Sequence, residues 1–211
     1  MRESQLDADD RPRSMRDPEV RARRRAMLTL PHIVPLTRYT KQLRQQGAGE
    51  IPEFDPMDGG IDAQALFLFE KPGPMTTTGV SGNRTGSGFI SRNNDDPTAE
   101  ATFKFMHQAA IPRTQTVTWN VVPSWNGTRK VSGSELTDAA AYVRQLIELL
   151  PRLRAVVLVG KKATRAKPYL ATVNFALFTS AHPSPLVRAR HPERWNAIPA
   201  EWAKVREFIN S

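Results

Sequence analysis

The chain predicts a single α/β domain: a short, mostly parallel central sheet of about four strands, flanked by helices on both faces. Three observations predict it. First, "ALFLF" (65–69), "TVTWNVV" (116–122), "AVVLVG" (155–160) and "FALFTS" (175–180) are short apolar runs bounded by turn residues. Several lack the apolar–polar alternation of a half-exposed strand, which reads as strands covered on both faces. Second, helix-like segments separate these runs, and strand–helix alternation favours parallel pairing. Third, 211 residues with 39% hydrophobic and 24% charged content suit one ordinary domain with a real core.

The elements follow in order. Residues 1–16 are polar and mixed in charge, and read as a flexible tail preceding a domain over 17–211. Residues 17–28 form a short basic helix, with Asp17 near its start and Pro18 in its first turn. Its arginines at 21 and 23–25 suit either a phosphate contact or a solvated face. A second helix spans 37–47 and ends at Gly47. After the first strand, "VSGNRTGSGFISRNN" (80–94) is a glycine-rich loop without the Gly-Lys-Ser/Thr ending of a phosphate loop. Asp96-Pro97 opens a helix over 96–110. The helix over 134–150 takes Ser134 as its N-cap and carries Leu136, Leu146, Ile147 and Leu150 on one face. "KKATRAKPYL" follows the third strand, "HPSPL" the fourth, and a last helix covers 199–209.

Composition narrows the function classes. The chain has no cysteine, which removes disulfides, cysteine-ligated zinc and thiolate-bound iron–sulfur clusters. The net charge of +9 suits either a polyanionic partner, most often nucleic acid, or a merely soluble basic protein. No apolar stretch reaches the ~18–20 residues of a membrane span, and the first fifteen residues lack the apolar core of a secretory signal.

In sheets of this kind working groups collect at the carboxyl ends of the strands. Here those ends carry Glu70-Lys71-Pro72-Gly73-Pro74, Asn120, Gly160-Lys161-Lys162 and His182-Pro183-Ser184-Pro185. "EKPGP", "TWNVVP" and "HPSPL", in that order and with those intervals, resemble the motifs of the uracil-DNA glycosylase superfamily across roughly residues 60–210. The chain looks most similar to bacterial branches whose first motif reads Gly-Glu-Ala-Pro-Gly, but it lacks their cluster-binding cysteines.

The resemblance implies a metal-free, cofactor-free glycosylase that flips uracil out of single- or double-stranded DNA and cuts its N-glycosidic bond. It also implies a monomer without a membrane partner, in the bacterial cytoplasm at the nucleoid. Such a reaction needs negative charge favoured at the departing base, a placed water and an extruded nucleotide. By resemblance, His182 donates a hydrogen bond to the anion forming at uracil O2, and Glu70 positions the water. Asn120 reads N3–H and O4, since an amide offers both an acceptor and donors. Phe89 stacks under the base, with Lys71, Pro72 and Gly73 lining the pocket. Leu186 enters the duplex as a wedge. Ser184, Arg188 and Arg190 hold the backbone, joined by Lys161, Lys162 and Arg165 from a stretch, 151–170, that has six basic side chains and no acidic one. His107 reads as core or surface, and His191 as a group near the basic loop.

The sequence departs from the family at two places. Lys71 stands where Asp or Asn often follows, and an inward-pointing cation would oppose an oxocarbenium-like sugar. Gly73 stands where some branches hold a bulky aromatic that rejects the thymine methyl, so the pocket is open there unless another residue fills it. Two alternatives therefore stand beside the uracil enzyme: a catalytically weak DNA-binding module, and a glycosylase for another deaminated or mismatched base.

Overall fold

The computed structural model describes residues 8–47, 49–81, 83–170 and 175–211. The first seven residues of the expected tail lie outside that range. Helices α1 (Pro18–Ala26) and α2 (Val34–Gln45) precede a two-residue strand, β1 (Glu53–Phe54). β2 (Ala65–Phe69) is the first long strand, followed by the hairpin β3 (Val80–Ser81) and β4 (Arg84–Thr85), and by β5 (Phe89–Ile90). Then come α3 (Pro97–Gln108), β6 (Thr116–Asn120), α4 (Gly133–Glu148), β7 (Ala155–Val159), the short α5 (Lys161–Thr164), β8 (Ala176–Ser180), α6 (Pro185–Arg190) and α7 (Pro192–Asn210).

The four long strands form one parallel sheet in the order β6-β2-β7-β8. Every residue of β6, β2 and β7 is buried, whereas the edge strand β8 is only partly covered. Alternate side chains serve two cores. Leu66, Leu68, Val117, Trp119, Val156 and Leu158 meet α2 and α4 on one face. Ala65, Phe67, Phe69, Val157 and Val159 meet α3 and α7 on the other. This is the α/β sandwich that the uninterrupted apolar runs predict, because a strand with no polar face needs cover on both sides.

Several boundaries differ from expectation for local reasons. α4 is capped by Ser132 rather than Ser134, because Ser132 accepts from the Glu135 N–H while Glu135 accepts in return from the Ser132 N–H. α7 starts at Pro192, well before residue 199, and runs through Pro199. Its Trp202 is fully buried and donates to the Ser180 hydroxyl at 3.0 Å, tying the helix to the end of β8.

The larger correction concerns residues 8–16, which do not form a loose tail. Met15 is buried with Val20 and Phe89. Asp9 is buried and bonded to Arg23 at 2.8 Å, and Asp10 joins a buried ionic cluster centred on Arg113. That guanidinium donates to Asp58 at 2.8 Å, to Asn93 at 2.7 Å, and to Asp10 and Asp55. Asp55 also takes Arg24 of α1 at 2.6 Å and the Ser91 hydroxyl. The polar composition of 8–16 thus serves ion pairing rather than hydration. Burial alone would raise the Asp55 pKa, but Arg113 and Arg24 hold it well below the usual carboxylate range. Asp58 is pushed up to about 6 by burial, against the pull of Arg113 and with the help of the nearby Asp55 charge. Removing the shared cation leaves buried carboxylates unpaired. Arg113→Met is therefore expected to lower the unfolding free energy by about 3–5 kcal/mol in urea titrations. An unchanged midpoint would show that the cluster is not holding the N-terminal segment down.

Candidate active site

The parallel register sets the site. Phe69 lies opposite Asn120, and Val159 opposite Ser180, so these four residues form one row at the carboxyl ends and point to one face. Asn120 is 4% exposed and Phe69 8% exposed, so both sit just below the rim. His182, two residues beyond β8, leans back over this row: its ring meets the Phe69 ring edge-on, with centroids 5.6 Å apart. Asn120 and His182 thus flank Phe69 from opposite sides. Neither the Asn120 amide nor the His182 imidazole hydrogen-bonds any other described residue. Asn120 is buried and His182 half-buried, so two unpaired polar side chains border one apolar ring at the rim.

A glycine makes this placement possible. Gly160, at the end of β7, has φ +93°, and a Cβ there would stand 3.0 Å from the His182 Cβ. Its N–H donates to the Ser180 carbonyl at 2.8 Å, which continues the sheet to the last residue before the loop. Only a residue without a side chain permits both the backbone turn and the close approach of the histidine.

Electrostatics then fix the state of the imidazole. Burial, reinforced by the Arg129 and Lys162 cations, pushes the His182 pKa down from 6.5 to about 4. The ring is therefore neutral at pH 7, with one N–H to donate and one nitrogen to accept.

The lysines on either side of the rim face different ways. Lys162 donates to a Glu70 carboxylate oxygen, and also to the Arg129 carbonyl at 3.3 Å. Lys71 is only 2% exposed and turns away from the rim, donating to Glu135 at 2.5 Å and to the Lys130 carbonyl at 3.2 Å. Burial raises the Glu135 pKa, but Lys71 and the Ser132 N–H pull it below its ordinary value. Two lysines from two strand ends thus grip the adjacent carbonyls of residues 129 and 130, which latches the loop before α4 over the rim.

The sequence-predicted site residues divide accordingly. Glu70, Pro72, Gly73, Asn120, Lys162 and His182 come together at the carboxyl rim. Phe89 does not: it is completely buried against Met15 and Val20, with the Arg25 guanidinium 6.0 Å from its ring, and has no face to offer a base. Lys71 is an internal ion-pair partner and does not line a pocket. The Ser184 hydroxyl caps α6 by accepting from the Val187 N–H at 3.4 Å. Leu186 is 59% exposed at the start of that helix, an unusual exposure for a leucine. Arg188 lies over the Trp195 ring at 5.8 Å, and Arg190, Lys161 and Arg165 are exposed. The arginines of α1 are mostly occupied inside the protein: Arg21 by the carbonyls of Met15 and Arg16, Arg23 by Asp9, Arg24 by Asp55. His107 and His191 are exposed. Two residues went unnoticed in the sequence. Phe69 looked like the last apolar residue of a strand, and Arg129 sits in a polar loop with no motif around it.

Comparison with known proteins came to three findings. A model of the uracil DNA glycosylase superfamily matches residues 58–206. No curated protein matches the sequence. Among solved structures, the chain is similar to the solution NMR structure of a "putative Uracil DNA glycosylase" from Methanosarcina acetivorans, with 17% identity and a TM-score of 0.41 over 69% of this chain and 92% of that one.

The rim supports two measurements. The ring-proton NMR shifts of His182 are expected to titrate near pH 4, and stability is expected to fall as the pH drops from 6.5 toward 4, because the histidine of the unfolded chain binds a proton there while the folded ring stays neutral. A midpoint at or above 6.5 would mean the ring is solvated. Gly160→Ala is expected to lose about 1–3 kcal/mol, because its positive φ with extended ψ is a conformation essentially reserved for glycine, and to shift the His182 resonances as the ring is displaced. Unchanged resonances would show that the glycine does not set the ring's position.

Proposed function

The chain belongs to the uracil DNA glycosylase superfamily, and we propose that it is a monofunctional enzyme that excises uracil from DNA and leaves an abasic site. The observation that carries this reading is the pair of unpartnered polar side chains, Asn120 and His182, flanking Phe69 at one rim of a buried sheet. An extruded pyrimidine supplies what both lack. Its N3–H and O4 match an amide oxygen and amide N–H, while O2 accepts from a neutral imidazole. Phe69 replaces Phe89 as the apolar surface against the base.

The reaction balances on these groups. The C1′–N1 bond breaks and its electron pair leaves with the base, where the His182 N–H favours the charge growing on O2. A water oxygen bonds to C1′, and its proton passes to the Glu70 carboxylate. The base takes its proton from solvent after release. Neutrality of His182 matters, because the one N–H of a neutral imidazole is a very weak acid, so it donates a hydrogen bond to the anion and keeps its proton, which an imidazolium would give up. One Glu70 oxygen accepts from Lys162, and the other is left for the water.

Leu186, 59% exposed, is the group to fill the space the base vacates, which offsets part of the unstacking cost. Lys161, Arg165, Arg188 and Arg190, all exposed, supply phosphate contacts for a monomer acting on single- or double-stranded DNA in the cytoplasm. The Glu70–Lys162 pair favours a second reading, a module that binds uracil in DNA with little turnover, because a cation beside the carboxylate opposes positive charge on the sugar. Lys71 contributes nothing to that second reading, since its charge is spent on Glu135.

Incubation with a labelled uracil-containing oligonucleotide in EDTA, followed by alkali, separates the two. The enzyme reading expects strand scission that falls about 10²–10³-fold in His182→Ala. It expects a loss of about 10–100-fold in Asn120→Ala, equivalent to the ~1–3 kcal/mol of a bidentate base contact. Tight binding without scission in the wild-type protein would leave the binding module.

A further inference from the structure

Gly73 leaves a gap beside the pocket, and the structure shows what stands in it. A Cβ built at Gly73 meets one group within 4 Å, the Arg129 guanidinium, at 3.9 Å. That guanidinium makes no ion pair or hydrogen bond with any described residue. The backbone that carries it is held in place, because Lys162 and Lys71 grip the carbonyls of Arg129 and Lys130 from two strand ends. The second of these lysines is 2% exposed and anchored on Glu135, so the latch is built into the domain.

We propose that Arg129 determines the base specificity of the site by closing, from the loop before α4, the space that Gly73 leaves open, so that a 5-substituted pyrimidine is rejected. The inference rests on the uracil-excision reading and follows from it by elimination. In that pose N3–H and O4 lie on Asn120, O2 on His182 and the sugar on N1, which leaves the C5 edge for the Gly73 side of the rim. A methyl group on C5 then competes with the Arg129 side chain for one volume. An apolar wall would exclude the methyl equally well. A guanidinium adds donors that welcome the neighbouring O4 and oppose the amino group of cytosine.

Discrimination by one methyl group is worth about 10–200-fold in a well-formed pocket. The test uses the full-length protein with oligonucleotides carrying uracil or thymine opposite guanine. Single-turnover excision gives one ratio. Affinity for the same sequences with 2′-fluorinated, uncleavable nucleotides gives a second ratio that does not depend on turnover. Arg129→Ala is expected to lower the uracil-over-thymine preference at least tenfold in both measurements, whereas Arg129→Met, which keeps the volume, retains most of it. An unchanged preference in Arg129→Ala overturns the inference. So does an equal loss in Arg129→Met, since volume would then not be the cause. Absence of wild-type excision, with a binding preference that still collapses in Arg129→Ala, would sink the enzyme reading and leave the specificity role standing. Thermal melts of both variants guard against misfolding, and an exposed loop residue should leave them within a few degrees of wild type.

Discussion

A parallel sheet buried on both faces can show polar groups only where its strands end. That constraint organises the whole molecule. Three of the four long strands are covered along their full length, and every side chain of β2 and β7 belongs to one of the two cores. Polar chemistry is therefore squeezed to the carboxyl rim, where register decides which side chains become neighbours. One row, Asn120–Phe69–Val159–Ser180, sets the floor. His182 completes it because Gly160 allows the histidine to lean inward.

The rim is held by charges that mostly work in pairs. Lys71 and Lys162 use side chains from adjacent strand ends to fix one loop, and Lys162 also satisfies a Glu70 oxygen. The cost of this arrangement is borne by His182, whose protonated form is disfavoured by burial and by cations nearby. For the proposed role of His182, donating a hydrogen bond without becoming charged, that penalty is useful. At the other end of the domain, the Arg113 cluster performs a purely structural task, joining residues 8–16 and α1 to the loops after β1 and β5. It consumes cations that the sequence alone offers to a phosphate backbone.

What could be read from the sequence follows the range of the interactions involved. The long strands announce themselves through local apolar runs, and Asn120, Glu70 and His182 through their place at or just beyond the strand ends. The Asp17 and Asp96 caps are local as well. Phe89 misled because its partner Met15 is distant in the chain, within a stretch whose polarity suggests a tail. Lys71 misled because nothing local says which way a side chain turns at a strand end. Its direction is set by Glu135, which is itself fixed by the capping box on Ser132. Arg129 has no sequence signal at all, since its place beside Gly73 is set by contacts between segments distant in the chain.

A crystal structure with a duplex carrying 2′-fluoro-2′-deoxyuridine would test the central claim in one step. The account requires the extruded base to lie over Phe69, with its N3 edge on the Asn120 amide and O2 within hydrogen-bond reach of the His182 imidazole. A base bound elsewhere, or a duplex seated away from the carboxyl rim with no nucleotide extruded, would contradict it.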